Sequence, residues 1–126
     1  MTRVRGQASL AIALSLTGCA APTLLQPGTP AAVTQQKLGP LDTLEQCARL
    51  EVGDRLDYRF ESSAPVAFDI HYREGNALVT PISNDPTTGE SNIFPALVAG
   101  DYCMSWQARH GEAQLSYRAQ VRPPLK

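Results

Sequence analysis

The sequence has no apolar run long enough to cross a lipid bilayer. Its apolar segment at residues 8–16 contains two serines and is shorter than the roughly 20 residues that a membrane-spanning helix needs. Basic charge is not in excess either, since 11 lysine and arginine residues stand against 12 aspartate and glutamate residues. A surface for nucleic acid requires clustered positive charge, so nucleic acid is not an expected partner.

The motifs that commonly carry catalysis are also missing. The sequence contains no Gly-x-Ser-x-Gly, no phosphate-binding glycine loop and no His-Glu-x-x-His. Ser105 with His71 and Asp69 would supply the residue types of a hydrolytic triad, but their spacing does not favour that arrangement over chance. We therefore predict a protein that is not an enzyme and that needs no cofactor.

The first 18 residues have the order of features that is typical of a secretory signal peptide. Arg3 and Arg5 precede the apolar segment, no acidic residue is present, and the small residues Thr17 and Gly18 follow. Removal of residues 1–18 would take two basic residues from a chain of net charge −1 and leave a net charge of −3. A mildly acidic product argues against electrostatic docking on anionic lipid.

The tetrapeptide Leu16-Thr17-Gly18-Cys19 resembles the lipobox of bacterial lipoproteins. The resemblance implies that the Cys19 thiol receives a diacylglyceryl group, that the chain is cut before Cys19, and that the new amino group is acylated, for example with palmitate. Two or three acyl chains form a stable membrane anchor. Ala20, where an aspartate would favour the inner membrane, implies the periplasmic face of the outer membrane. The alternative is that Cys19 is an ordinary buried thiol.

Residues 19–43 have the composition of a flexible linker. They are rich in proline, alanine, threonine and glutamine, and they contain no apolar stripe that could be buried. We predict a disordered tether that holds a folded domain away from the membrane. The alternative is that this segment packs on the domain as an N-terminal arm.

From residue 44 to residue 122 the sequence alternates between apolar and polar side chains, which predicts half-buried strands and no helix. Residues 123–126 form a short tail. We expect a small antiparallel β-sandwich, with Pro81 at a sheet edge or a bulge. About seven strands are predicted, at 47–52, 55–61, 66–73, 77–83, 92–98, 101–108 and 112–122.

Three stretches are similar to a GOLD-type domain, the β-sandwich of p24-like cargo proteins and of small secreted bacterial proteins. They are residues 53–60, PVAFDIHYREG at 65–75 and GDYCMSW at 100–106. The resemblance covers about residues 45–122 and implies a role in protein or lipid interaction, not in catalysis. The lipobox and the linker lie outside the family's pattern.

Cys47 and Cys103 remain after Cys19 has been assigned to lipid attachment. In an oxidising compartment two such thiols can pair, and a disulfide closing so long a loop would stabilise the fold by about 4 kcal/mol. The alternative is that the two thiols are too far apart to bridge. The alternation places both cysteines on the outward faces of their strands.

Asp69 and His71 share one predicted strand face and are weak candidates for a metal site, as is His110. Four zinc ligands at typical spacings are missing, and Cys103, Met104 and His110 do not fit a copper site, because adjacent residues face opposite sides of a strand. We therefore expect a membrane-anchored binding or interaction module with a protein or lipid partner. The alternative function is zinc or copper binding by His71 with Asp69 or His110.

Overall fold

The computed structural model describes residues 24–125, and in this range the chain is all β. Within the same range, no helix has the length and apolar character needed to cross a membrane. Six strands follow one another: β1 (Ala31–Leu38), β2 (Thr43–Leu50), β3 (Arg55–Glu74), β4 (Ala77–Pro95), β5 (Gly100–Ala108) and β6 (Ala113–Arg122). The signal peptide and the lipidation site predicted at residues 1–19 lie outside the described residues.

The six strands form one antiparallel sheet that bends into two layers, as expected for a small β-sandwich. The first half of β3 pairs with β6, and β1 pairs with the far side of β6. The second half of β3 pairs with β5, and β2 pairs with the far side of β5. β4 pairs with β3 along both halves, so the β3–β4 hairpin runs through both layers.

The length of β3 and β4 explains why six strands are present instead of about seven. The predicted strands leave residues 62–65 and 84–91 as connections, but both stretches lie inside the two long strands. The pairing register shifts between Glu61 and Val66. Proline at 65 and 86 removes backbone donors at these points, so the chain bends without ending the strand. Pro81 lies on β4, which is an edge strand, as predicted.

The alternation of the sequence correctly predicts which side chains form the core. Leu56, Tyr58 and Phe60 are buried, and so are the inward residues of β5 and β6. Trp106 of β5 stacks on Tyr117 of β6 with ring centroids 4.5 Å apart, which joins the two layers. Such aromatic contacts contribute about 0.5–1.5 kcal/mol beyond the area that they bury. Val52, the last residue of the predicted strand 47–52, is instead exposed in the β2–β3 turn.

The prediction of a flexible linker over residues 19–43 is wrong for its described part. β1 lies within it and pairs with β6 from Ala31↔Ala119 to Leu38↔Ala113. Leu38 is buried, and Ala31 and Val33 pack against the core. Backbone pairing with β6 and the burial of Leu38 therefore hold a segment whose sequence shows no clear strand pattern. The folded domain begins well before residue 44.

The chain is fixed to the domain even before β1. The Leu25 side chain is buried, and its backbone N–H donates to the Cys47 carbonyl oxygen at 2.8 Å. Leu25 also forms a parallel bridge with Ala48. The turn that follows is held by Gly28, whose N–H donates to the Val121 carbonyl oxygen. The N-terminal arm, the alternative to a linker, describes residues 25–38 better.

Candidate functional site

The two cysteines predicted as a pair are directly opposite each other on β2 and β5. Their sulfur atoms are bonded, with a Cα–Cα distance of 3.9 Å, and the bridge spans a sequence separation of 56 residues. Both side chains lie on the outer face of the layer, yet Cys47 is only 7% exposed. The disulfide therefore ties the edge strand β2 to the centre of its layer.

His71 lies beside this disulfide, because it pairs with Cys103 in the β3–β5 register. Its Nδ1 is 2.6 Å from Asp69 Oδ1, and its Nε2 is 3.5 Å from Glu45 Oε1 on β2. The imidazole therefore bridges two carboxylates across β5. It links β3 to β2 on the same face as the disulfide, and the His71 side chain keeps 21% of its surface exposed.

The other residues considered for catalysis or metal binding do not assemble with His71. Ser105 is opposite both Asp69 and Glu45 in the sheet, but among residues 24–125 no hydrogen bond joins it to His71. His110 lies in the exposed β5–β6 turn, roughly 20 Å along the strand direction from His71. No group of three or more metal-ligating side chains is found in the described part of the chain.

A partly buried polar contact connects the two long strands. Tyr58 donates its hydroxyl to Glu90 Oε2 at 3.1 Å, and Asn84 Nδ2 donates to Glu90 Oε1 at 2.7 Å. Burial, and then the neighbouring Glu90 carboxylate, raise the pKa of Tyr58 above its usual range. The Tyr58 phenol therefore stays protonated and donates its hydrogen bond to the Glu90 carboxylate.

A concave surface lies on the outer face of the other layer and crosses all four of its strands. It is an open groove of about 670 Å³, and a second depression of about 320 Å³ continues it along β3 and β6. Arg59 of β3 and Arg118 of β6 line both depressions and are directly opposite each other. We call this surface the arginine groove; it is lined by Ala32, Val33, Thr34, Arg59, Phe60, Glu61, Gly89, Glu90, Ser91, Ser116, Tyr117 and Arg118.

The charges in the arginine groove are arranged unevenly. Just beyond it, Arg122 Nε lies 2.6 Å from Asp57 Oδ2 and forms an ion pair. Among the described residues, neither Arg59 nor Arg118 forms an ion pair. Glu61 is on the same face two residues along β3 from Arg59 and lies opposite Ser116.

Sequence analysis did not identify the arginine groove. The alternation of apolar and polar residues in the predicted strand 55–61 puts Arg59 on an outward face, and the same pattern leaves Arg118 outward between Tyr117 and Ala119. However, the order of the strands in the sheet, which brings β6 beside the first half of β3, has no local signal. Only this pairing turns two isolated exposed arginines into neighbours.

Comparison with known proteins adds little to this geometry. No protein-family model matches the chain, and no match is found among curated proteins. Among solved structures, the solution NMR structure of a de novo designed double-stranded β-helix is similar, with 15% sequence identity and a TM-score of 0.39. The match covers 74% of this chain and 97% of that chain. At this TM-score the likeness says nothing about function.

Proposed function

We propose that this protein is a lipid-anchored, non-enzymatic binding module at the periplasmic face of the bacterial outer membrane. The observation that carries the proposal is the tetrapeptide Leu16-Thr17-Gly18-Cys19, with a charged start and a short apolar segment before it. Cys19 would carry the acyl chains and residues 1–18 would be removed. The domain would then contact a protein or lipid partner, and it would not bind nucleic acid.

The position of Leu25 adds a distance to this proposal. Leu25 is six positions after Cys19, and a fully extended chain covers at most about 3.6 Å per residue. A lipid on Cys19 would therefore hold the domain within about 20 Å of the membrane surface. Because Leu25 is hydrogen-bonded to the domain, the domain would sit close to the bilayer instead of moving on a long tether.

One end of the sandwich exposes several apolar side chains. Leu97 is 83% exposed and Leu125 is 78% exposed, in the β4–β5 turn and the C-terminal tail. The Gly53 N–H donates to the Ala96 carbonyl oxygen, which brings the β2–β3 turn to the same end. Exposed apolar side chains at one end of the domain support contact with a lipid or protein partner.

Zinc or copper binding remains the alternative function, and the geometry favours only one of its two forms. Asp69 and His71 are in contact, whereas His110 is in a distant turn. Both His71 nitrogens already face carboxylates, so the observed contacts are those of a structural bridge between β3 and β2. We therefore prefer the binding module.

The anchor is tested by expressing the full-length chain in a Gram-negative bacterium and measuring the intact mass of the membrane fraction. We expect a chain that begins at Cys19 and carries two or three acyl groups, and a Cys19→Ser variant that is neither cut nor acylated. The matched control is a variant with Cys47→Ala and Cys103→Ala, which keeps Cys19 and should be acylated normally. An unprocessed chain beginning at Met1, with the same membrane partitioning in the Cys19→Ser variant, would contradict the proposal.

A further inference from the structure

The arginine groove contains an arrangement of charge that works against the stability of the sheet. Arg59 and Arg118 are directly opposite on neighbouring antiparallel strands, where side chains have Cβ atoms about 5 Å apart and like charges are destabilising. The same sheet neutralises another arginine, since Arg122 pairs with Asp57. A cost that folding alone does not require is commonly explained by function.

The surroundings of the two arginines leave room for a ligand above them. Arg59 and Arg118 belong to one row of paired residues that crosses the four strands. The row ends in Ala32 of β1 on the Arg118 side and in Ser91 of β4 on the Arg59 side. Gly89 in the next row has no side chain, and an added Cβ would lie 3.1 Å from the Phe60 carbonyl oxygen. The resulting groove of about 670 Å³ is within the range of small-molecule sites.

We propose that Arg59 and Arg118 together bind a carboxylate or phosphate group of a small ligand in the arginine groove. Guanidinium groups present planar sets of N–H donors that match both oxyanions. Two of them side by side share one anion, which also removes their mutual repulsion. This inference rests on the proposed binding function and names the chemistry that its ligand carries.

The acidic residues of the groove define which anions fit. Glu90 is held by Tyr58 and Asn84, so it does not compete for the arginines. Glu61 projects from the same face as Arg59 and, within the described residues, has no ion pair. Its charge repels a second anionic group on that side, so the ligand carries one anionic head and is not a polyanion.

The experiment is a titration of the protein, as purified from the membrane fraction in a non-ionic detergent, with inorganic phosphate and, separately, with acetate. Arginine side-chain NMR signals report binding. We expect saturable shifts confined to Arg59 and Arg118 with at least one of the two anions, and the responding anion identifies the source as phosphate or carboxylate. Arg59→Gln and Arg118→Gln should each weaken binding at least about tenfold, because each removes charged hydrogen bonds to the anion.

Two further variants separate a site from general electrostatic attraction. Arg109→Gln changes an exposed arginine in the β5–β6 turn, outside the groove, and should leave the affinity unchanged. Glu61→Gln should strengthen binding by about two- to threefold, as expected for one exposed charge. Thermal unfolding without anion should show that the Arg59→Gln and Arg118→Gln variants are folded and at least as stable as the natural chain.

The proposal is overturned if neither anion gives saturable shifts, or if Arg109→Gln weakens binding as much as the groove variants do. It is also overturned if the groove variants lose stability, since Arg59 and Arg118 would then be structural. These outcomes are independent of the Cys19 experiment. If the protein is acylated but binds neither anion, the anchor proposal stands and the anion site is refuted. If it binds an anion but is not acylated, the anion site stands and the anchor proposal is refuted.

Discussion

Removal of the Cys47–Cys103 disulfide is the perturbation whose effect follows most directly from the fold. β2 is an edge strand that pairs only with β5 among the described strands, and the bridge is its only covalent link to that neighbour. Alanine at both positions avoids placing a polar group at the buried Cys47. The eight-residue register between β2 and β5 should keep the folded structure intact, so the change acts mainly on the unfolded chain.

The size of the effect can be worked out from the sequence separation of 56 residues. In the chain-entropy model, a cross-link that closes a loop of this length lowers the free energy of folding by about 4 kcal/mol. For a domain of about 100 residues, each kcal/mol corresponds to a melting-temperature change of about 4–8 °C. We therefore expect the double alanine variant to melt at least about 15 °C below the natural chain.

Urea unfolding, followed by tryptophan fluorescence and far-ultraviolet circular dichroism, measures this difference. The unfolding free energy should fall by about 4 kcal/mol, and the slope against urea should rise, because an unfolded chain without the cross-link exposes more surface. The natural chain measured with a reductant is the control and should match the variant. A loss below about 1 kcal/mol with an unchanged slope would refute the chain-entropy reasoning.

Two more predictions test the N-terminal strand and the buried phenols. Leu38→Ala should lower the unfolding free energy by about 2–4 kcal/mol, because it leaves a cavity at a buried position of β1. The control Leu41→Ala, at an exposed position, should change the unfolding free energy little. Equal effects of the two variants in urea unfolding would mean that β1 does not contribute to the core. Burial raises the pKa of Tyr58, Tyr102 and Tyr117 above the ordinary value of 10.0, so the folded chain resists phenol ionisation. The stability from these residues is therefore fully present below about pH 10 and is lost as the pH rises further. Urea unfolding at pH 8 and pH 11 measures this loss, which should be smaller in a Tyr58→Phe variant. Equal unfolding free energies at both pH values in the natural chain would contradict the argument.

The sequence predicts the sandwich and its core because alternation is a local signal. Tyr58, Met104 and Leu115 each lie where apolar and polar residues alternate, and each is buried. The bends in β3 and β4 were harder to predict. Residues 62–65 and 84–91 contain proline and polar residues, which are found both where a chain reverses and where a strand only bends. Pairing between β3 and β4 decides which of the two occurs, and that pairing is not visible in the local sequence.

The candidate site could not be predicted for a related reason. β1 is held by its partner β6, not by its own pattern, and the pairing of Arg59 with Arg118 depends on which strands are neighbours. The two contacts of His71 show the same limit. Asp69 is two residues away on the same strand and was identified, whereas Glu45 reaches His71 across β5 from β2 and was not.

The long outer strand β4 has a consequence for how this molecule behaves among other proteins. Its nineteen residues pair with β3 on one side only, and such an open row of amides and carbonyls invites a foreign strand to add on. Pro81, Pro86 and Pro95 interrupt that row, since proline offers no N–H for a further ladder. A crowded cellular compartment would contain many extended segments, and these three prolines would deny them a continuous template on which aggregates could begin.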